Sequence, residues 1–531
     1  MPPKSIAVLG GGLTGLSSAF HLSRRFPTAK VTVIEKQARL GGWVRSERIK
    51  IREDASMLLE AGPRTLRPNS KSVLELINLL SLEDNVITVP KTAPAAQARF
   101  LYIPTSSLSK PAISGLQRLP SSFTSLLTSP LRPLILPAVL REPFKLSNRP
   151  TGARDESVDS FLSRRFGETF ARIFGSALVH GIYATDSRNL SVRTAFPILW
   201  EAEERGWGSV VRGFLLPGKR KSDEDAYDLG KTLELMHNVS VYSFKNGMQS
   251  LTNALETRLL ATTNVDIIRD TIISNLEMLE DGSLKISHSS GKLETSHVVS
   301  ALPLPILHKI ASQPKSSDSV VNLPPIPHLT ENTASSVQVV NLVFPCPPER
   351  ILPEGFGYLI PRPLTGYLDP SDKSSSNMLG TVFDSCSLHE QDPSIKSDSH
   401  SQGNLTKVTI MTGGPYPIPT LPHFNDTDRN RPPPDFILSL VDQLSNHLGR
   451  TMPLPIYWRL WNNEACIPTL RPGHLDRMEE VKSVLQAPSH NLSSSNHLGW
   501  DGRLAIVGAG VGGVSVGDCV EAGRRVGREW A

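Results

Sequence analysis

Ser5-Ile6-Ala7-Val8-Leu9-Gly10-Gly11-Gly12-Leu13-Thr14-Gly15 joins an unbroken apolar run to a G-x-G-x-x-G turn. A run without polar alternation fits a parallel strand buried on both faces. Leu16, Ala19, Phe20 and Ser23 then recur at helical spacing, so strand, glycine turn and helix follow one another. Val31-Thr32-Val33-Ile34 predicts a second strand, with Glu35 at its end, 20 residues past Gly15. Gly10 allows the tight turn, Gly12 lets a pyrophosphate approach the backbone, and Gly15 lets the helix pack on the strand. The helix N-terminus attracts phosphate, and the Glu35 carboxylate can accept hydrogen bonds from ribose hydroxyls. These features place a dinucleotide site at Gly10, Gly11, Gly12, Leu13, Thr14, Gly15, Glu35 and Lys36. A glycine turn of purely structural use would leave Glu35 without a role.

Working outward, Arg39-Leu40-Gly41-Gly42-Trp43-Val44-Arg45-Ser46 follows, then Leu59-Glu60-Ala61-Gly62-Pro63-Arg64. A nicotinamide dehydrogenase has no special need for an R-x-G-G loop followed by E-x-G-P. In a large class of flavoproteins that pairing closes over the FAD pyrophosphate and flavin. Gly41, Gly42 and Gly62 let the backbone touch the cofactor, and Arg39 adds charge near phosphate. The C-terminus answers the N-terminus. Arg503-Leu504-Ala505-Ile506-Val507-Gly508-Ala509-Gly510 reads as another buried strand, and a helix opens near Ser515 with Asp518 favouring its dipole. Too few residues follow Gly502 for an independent α/β unit, so this end is expected to complete the first domain. Mid-chain, Asn264 to Ile273, Leu284 to Ile286 and His297 to Pro303 predict a hairpin and a return strand over the adenine, with Ile273 a backbone contact.

Composition bounds the rest. The chain has 531 residues, 39% hydrophobic and 20% charged, and a net charge of +5, which gives no reason to expect nucleic acid. Cys346, Cys386, Cys466 and Cys519 lie far apart without a CxxC pair, as reduced thiols would. No run of eighteen apolar residues exists, so a spanning helix is not expected. The first strand begins so early that no cleavable leader is expected. Between Thr105 and Pro150 lie Lys110, Arg118, Arg132, Arg141, Lys145 and Arg149 against Glu142 alone, amid Ser, Leu and Pro. Ser157 to Ile182 then reads helical. Apolar and basic segments without a span suit an anionic membrane surface; a helical subdomain with a solvated basic face is the plainer reading. Residues 219–228, 370–377, 389–406, 425–434 and 489–497 are polar and low in complexity, as surface insertions are.

The motifs together resemble the oxygen-dependent protoporphyrinogen oxidase family, FAD enzymes of haem biosynthesis. Flavin amine oxidases in general share the glycine fingerprint, Glu35 and Gly41-Gly42. The narrower likeness rests on Glu60-Ala61-Gly62-Pro63-Arg64-Thr65-Leu66-Arg67-Pro68, Arg99-Phe100-Leu101-Tyr102, Arg164-Arg165-Phe166-Gly167, His180-Gly181-Ile182-Tyr183-Ala184, Phe244-Lys245-Asn246-Gly247-Met248 and Val516-Gly517-Asp518-Cys519-Val520-Glu521-Ala522-Gly523. Thr185 stands where the family's G-I-Y-A-G element ends in glycine. The resemblance implies FAD contacts at Gly10–Gly15, Glu35, Trp43, Gly62, Pro63, Arg64, Thr65, Ile273, Ala509, Val514, Ser515 and Val516. It points to Arg99, Phe356, Leu359 and Met411 for substrate. Read without the family, Phe356, Leu359 and Met411 are ordinary core residues. Arg99 on an apolar strand needs an anion, and a propionate is a natural bidentate partner. A flat tetrapyrrole suits an apolar slot with charge kept for its carboxylates.

The implied reaction is the six-electron oxidation of protoporphyrinogen IX to protoporphyrin IX, in three rounds that each reduce one O2 to H2O2. A bridging methylene gives up a hydride near flavin N5 and a pyrrole N–H loses a proton; no catalytic side chain is named, since the isoalloxazine carries the redox chemistry. Rival readings are another flavin oxidase, acting on an amine or carotenoid precursor, or a non-catalytic binding protein on the same fold. A membrane-surface scaffold for neighbouring haem enzymes is compatible with catalysis, as is a homodimer. The expected architecture is α/β. Residues 1–90, 239–303 and 486–531 form a discontinuous Rossmann-like FAD domain, and 91–104, 205–238 and 304–485 a mixed α+β substrate domain. Residues 105–204 form an inserted helical, membrane-facing domain. The family places such chains peripherally at the mitochondrial inner membrane.

Overall fold

In the computed structural model, a Cβ on Gly15 would lie 1.9 Å from the Gly10 carbonyl oxygen, so only glycine lets the first helix sit this close to the first strand. The model describes residues 2–530 except 54, 105–112, 151, 219–226, 315–319, 368–376, 393–404, 419–431 and 490–498. Strand Ser5–Leu9 and helix Leu13–Arg25 are as the periodicity predicts. The strand needs no polar alternation because both faces are covered. Ile6 and Val8 pack with Leu16, Phe20 and Val33, while Ala7 and Leu9 pack with Leu276, Leu304 and Trp500.

Ser5–Leu9 is the centre of a five-stranded parallel sheet. Its order is Leu504–Ile506, His297–Ser300, Ser5–Leu9, Lys30–Ile34 and Val265–Ile268. The C-terminal strand therefore completes the sheet begun at the N-terminus. The central segment divides differently from the hairpin read in sequence. Val265–Ile268 is the far edge of the parallel sheet, and Ile273–Met278, Leu284–His288 and Gly291–Thr295 make a separate antiparallel sheet. The final helix, Val516–Glu529, lies against the first, so closely that a Cβ on Gly523 would meet Ser17 at 2.6 Å.

A second sheet has seven strands, ordered Tyr457–Pro468, Ala334–Phe344, Thr406–Gly413, Met378–Val382, Gly357–Leu359, Phe100–Ile103 and Gly115–Arg118. Helix Asp435–Leu448 covers one face through Ile437, Leu440, Val441 and Leu444 against Val340, Ile410 and Tyr358. The opposite face carries a cross-strand row. Leu101 pairs with Leu359, Leu359 with Gly380, Gly380 with Met411, Met411 with Val339, and Val339 with Trp461.

Helices Val158–Phe166, Ser176–Tyr183, Pro197–Arg205 and Val210–Leu215 share a third core around Phe161, Val179, Trp200 and Val210. The helix read from Ser157 to Ile182 is not continuous: Gly167, at φ +102°, breaks it, and a wide π-type turn over Ala171–Gly175 follows. Two segments sit apart from the expected boundaries. Gly115–Arg118, read into the helical insertion, is an edge strand of the seven-stranded sheet. Val210–Leu215, read into the substrate domain, packs in the helical core. Among the described residues no helix is long and apolar enough to cross a membrane, and no His, Cys, Asp or Glu cluster could hold a metal. The polar insertions fall largely outside the described residues.

Candidate active site

The glycine turn is shaped for a ligand. Gly10 adopts φ +97°, Gly41 +99° and Gly42 +58°, and the Gly41 N–H donates to the Gly11 carbonyl at 2.8 Å, tying the two loops together. A Cβ on Gly12 would meet nothing within 4 Å, so the space above the helix N-terminus is open. Glu35 points at this turn: its Oε2 accepts from the Gly11 N–H at 2.7 Å and its Oε1 from the Gln37 N–H at 3.0 Å. A carboxylate has about four lone-pair positions, so two stay free for ribose hydroxyls. Lys36 lies exposed beside it.

The Arg39 guanidinium faces inward rather than toward the open turn. It donates to the carbonyls of Leu40 at 3.1 Å, Val44 at 3.2 Å and Gly42, holding the 39–44 loop in shape from within. Burial lowers its pKa. Trp43, at the loop tip, presents half its surface to solvent. Gly62 lies beneath it, where a Cβ would meet the Trp43 carbonyl oxygen at 2.6 Å. Ser515 caps the C-terminal helix: its hydroxyl accepts from the Asp518 N–H at 3.1 Å, and Asp518 in turn accepts from the Ser515 N–H at 3.0 Å. Thr14 borders both glycine loops: it lies on the first helix beside the glycine turn and faces Gly508. Ala509, Val514 and Val516 thus lie on the segment that returns to the first helix. Ile273 begins its antiparallel strand and packs on the core shared by Ile34 and Leu9. An open glycine cradle, two helix N-termini and a carboxylate at the strand end fit the pyrophosphate and ribose of FAD.

The Arg64 side chain points away from the open turn's loop and into the protein. Its guanidinium is buried and pairs with Asp384 at 3.1 Å, across to the seven-stranded sheet. Asp384 accepts from the Thr409 hydroxyl at 2.7 Å, Thr409 accepts from Asn341 at 2.8 Å, and Asn341 accepts from the Trp461 indole at 2.8 Å. Beside this chain, Asn463 donates to the Ala61 carbonyl at 2.8 Å and Lys407 to the Leu58 carbonyl at 2.7 Å. The strand leading to Gly62 is therefore seated on the sheet by side chains from three of its strands. Glu60 is buried here, bonded to the Ser46 hydroxyl at 2.6 Å and the Met248 N–H at 2.8 Å, and burial pushes its carboxyl up to about 7.

The four expected substrate residues form two groups. Leu359 and Met411 belong to one cross-strand row, joined through Gly380. Met411 packs with Ala61, Ala184, Leu379, Tyr416 and Trp461, so the row abuts the cofactor loop. Arg99 and Phe356 form the second group, the guanidinium carbon 5.7 Å from the ring centroid. Phe356 packs toward Ile87, Val89 and Leu388. Arg99 is half-buried, and among the described residues no carboxylate pairs with it; burial, and then the like charge of Arg67, lower its pKa.

Sequence reasoning passed over the polar groups on this wall. His180 is buried, with Nδ1 2.7 Å from the Ile360 carbonyl oxygen and Nε2 2.8 Å from the Tyr367 hydroxyl. It lies inside a motif already singled out, but Tyr367, next to a polar insertion, carries no sequence signal. Asp384 and Trp461 likewise become visible only through the pairing of strands distant in sequence.

Comparison with known proteins agrees with this geometry. Residues 13–408 match the family model for flavin containing amine oxidoreductases. Protoporphyrinogen oxidase from Homo sapiens is 31% identical over 98% of this chain and 97% of its own. The Schizosaccharomyces pombe protoporphyrinogen oxidase is 29% identical over 99% and 98%. A candidate protoporphyrinogen oxidase from Exiguobacterium sp. 255-15 superposes with a TM-score of 0.70 at 19% identity, covering 99% of this chain and 98% of that one, a likeness of fold. The chain belongs to the flavin-containing amine oxidoreductases and, within them, to the protoporphyrinogen oxidase family.

Proposed function

We propose that this protein is an FAD-dependent oxidase that converts protoporphyrinogen IX to protoporphyrin IX, with oxygen as the electron acceptor. The observation that carries this reading is the apolar row through Leu101, Leu359 and Met411, set against the cofactor loop at Ala61, with the half-buried Arg99 two residues before Leu101. FAD, when bound, supplies a two-electron acceptor that oxygen can regenerate. The chain supplies position. Arg99 binds a propionate, Phe356 supports the guanidinium from its ring face, and Leu359 and Met411 contact the flat macrocycle and exclude water. The strand before Gly62, fixed by Asn463 and Lys407, keeps that wall in register with the cofactor cradle. An aerobic assay tests the reading: protoporphyrin fluorescence should appear together with three equivalents of H2O2. Flavin-loaded protein that yields neither would refute it.

The membrane reading draws support from one surface. Phe144 is 89% exposed and Leu146 87%, with Leu140, Trp207, Phe214 and Leu215 also exposed nearby. Trp207 is brought to this side because Gly208 lies against Ser147. Arg141 and Arg212 are exposed beside it. Apolar tips ringed by cations suit peripheral contact with an anionic bilayer, such as the mitochondrial inner membrane. Sedimentation with anionic vesicles should be lost on replacing Phe144 and Leu146 by Ser, and full retention by that variant would remove the surface from consideration.

A further inference from the structure

Oxidising a bridging methylene of a tetrapyrrole removes a hydride from carbon and a proton from an adjacent pyrrole nitrogen. The wall around Leu359 and Met411 is apolar, and Arg99 is a cation, so neither takes that proton. Glu60 is turned away into its bonds with Ser46 and Met248. Among the described residues, His180 and Tyr367 form a hydrogen-bonded titratable pair at the border of this wall. Gly181, the next residue after His180, is packed against Leu359, where a Cβ would come within 2.8 Å. Tyr367 packs in the same cluster as Met411 and Ala61, its ring edge-on to Tyr416 at 5.0 Å and 87°.

The hydrogen bonds settle which atoms carry protons. A carbonyl only accepts, so Nδ1 of His180 must donate to Ile360. Nε2 is then the bare nitrogen, and the Tyr367 hydroxyl donates to it. The tyrosine oxygen keeps its lone pairs for an incoming N–H. Arg362 bonds Asp159 at 2.9 Å and Asp186 at 3.4 Å, and Arg188 bonds Asp186 at 2.6 Å. Asp186 favours a proton on His180 and Arg362 opposes it, while burial is the larger cost of placing a charge there.

We infer that Tyr367 and His180 together accept the pyrrole proton in each round of oxidation, a step that rests on the function proposed above. The pyrrole N–H bond breaks and its proton bonds to the Tyr367 oxygen. The tyrosine's own proton passes to Nε2 of His180, leaving a neutral phenol and an imidazolium that faces Asp186. The nitrogen's electron pair forms the new C=N bond as the hydride leaves the methylene for the cofactor. The proton leaves by the same path to water before the next round begins, so the pair is neutral again each time.

The test uses the FAD-loaded protein, anaerobic, mixed with protoporphyrinogen IX, and reads the rate at which flavin absorbance bleaches. Tyr367→Phe and His180→Asn, which keeps a donor toward Ile360, should each slow bleaching about 100-fold or more. Both should bind the unreactive product protoporphyrin IX with wild-type Kd, which separates proton transfer from support of the wall. Wild-type bleaching should fall as pH drops toward about 4, where burial has placed the His180 pKa, whereas the residual rate of Tyr367→Phe should be flat there. Variants that bleach within twofold of wild type, that lose porphyrin binding, or a wild-type rate flat with pH would overturn the inference. Should one variant fail to fold, the bleaching rate and porphyrin Kd of the other decide. Wild-type protein that never bleaches would instead strike the parent function.

Discussion

Arg64 and Asp384 meet at 3.1 Å in the buried seam between the cofactor cradle and the seven-stranded sheet, though 320 residues separate them in the chain. The pair heads the relay through Thr409 and Asn341 to Trp461, so it joins the loop carrying Gly62 to the strands carrying Met411 and Val339. Removing one partner leaves the other charged and dry. Asp384→Ala should therefore destabilise the protein by about 3–5 kcal/mol, read as a lower urea midpoint. Replacing both residues with apolar ones of similar volume should recover much of that loss. An Asp384→Ala midpoint equal to wild type would show that the pair does not hold the seam.

Gly12 and Gly15 make opposite demands and give a sharp contrast. A Cβ on Gly12 meets no protein atom within 4 Å, whereas one on Gly15 would collide with the Gly10 carbonyl oxygen at 1.9 Å. Gly12→Ala should leave the FAD-free protein as stable as wild type while weakening FAD binding, measured by equilibrium dialysis. Gly15→Ala should lower stability even without FAD. Gly12→Ala with undiminished FAD affinity would mean that the cofactor does not approach that backbone.

Arg99→Ala should raise KM for protoporphyrinogen IX and leave FAD content normal. If its propionate pair is desolvated the loss is about 2–5 kcal/mol in kcat/KM. Unchanged steady-state kinetics would take Arg99 out of the site.

Glu60 provides a pH signature. Its folded pKa, raised by burial to about 7 from an unfolded value near 4.5, means the folded state binds a proton that the unfolded state releases. Stability from this group is full below about 4.5 and is lost as pH rises through about 7. Glu60→Gln should flatten thermal stability across that window and stabilise the protein above it. A midpoint that varies with pH equally in both proteins would assign the trend elsewhere.

The nucleotide half was legible because its chemistry is local. Strand, turn, helix and terminal acid lie within Ser5–Glu35, and the steric demand on Gly15 comes from Gly10, five residues away. The seven-stranded sheet was not, because its meaning lies in pairing. Leu359, Gly380 and Met411 become neighbours only through register between separate strands. Arg64 illustrates the limit: within E-x-G-P-R it reads as a cofactor contact, and its partner Asp384 is supplied by a short helix no local pattern announces. His180 was visible as a letter in a motif, but its tautomer, and hence its chemistry, depends on Ile360 and Tyr367.

The most direct test of the central claim is to mix the FAD-loaded protein with protoporphyrinogen IX without oxygen and follow the oxidised-flavin absorbance band. The band should bleach on mixing and recover, with porphyrin fluorescence, once air is admitted. A band that stays unchanged on mixing, in protein shown to hold FAD, would contradict it.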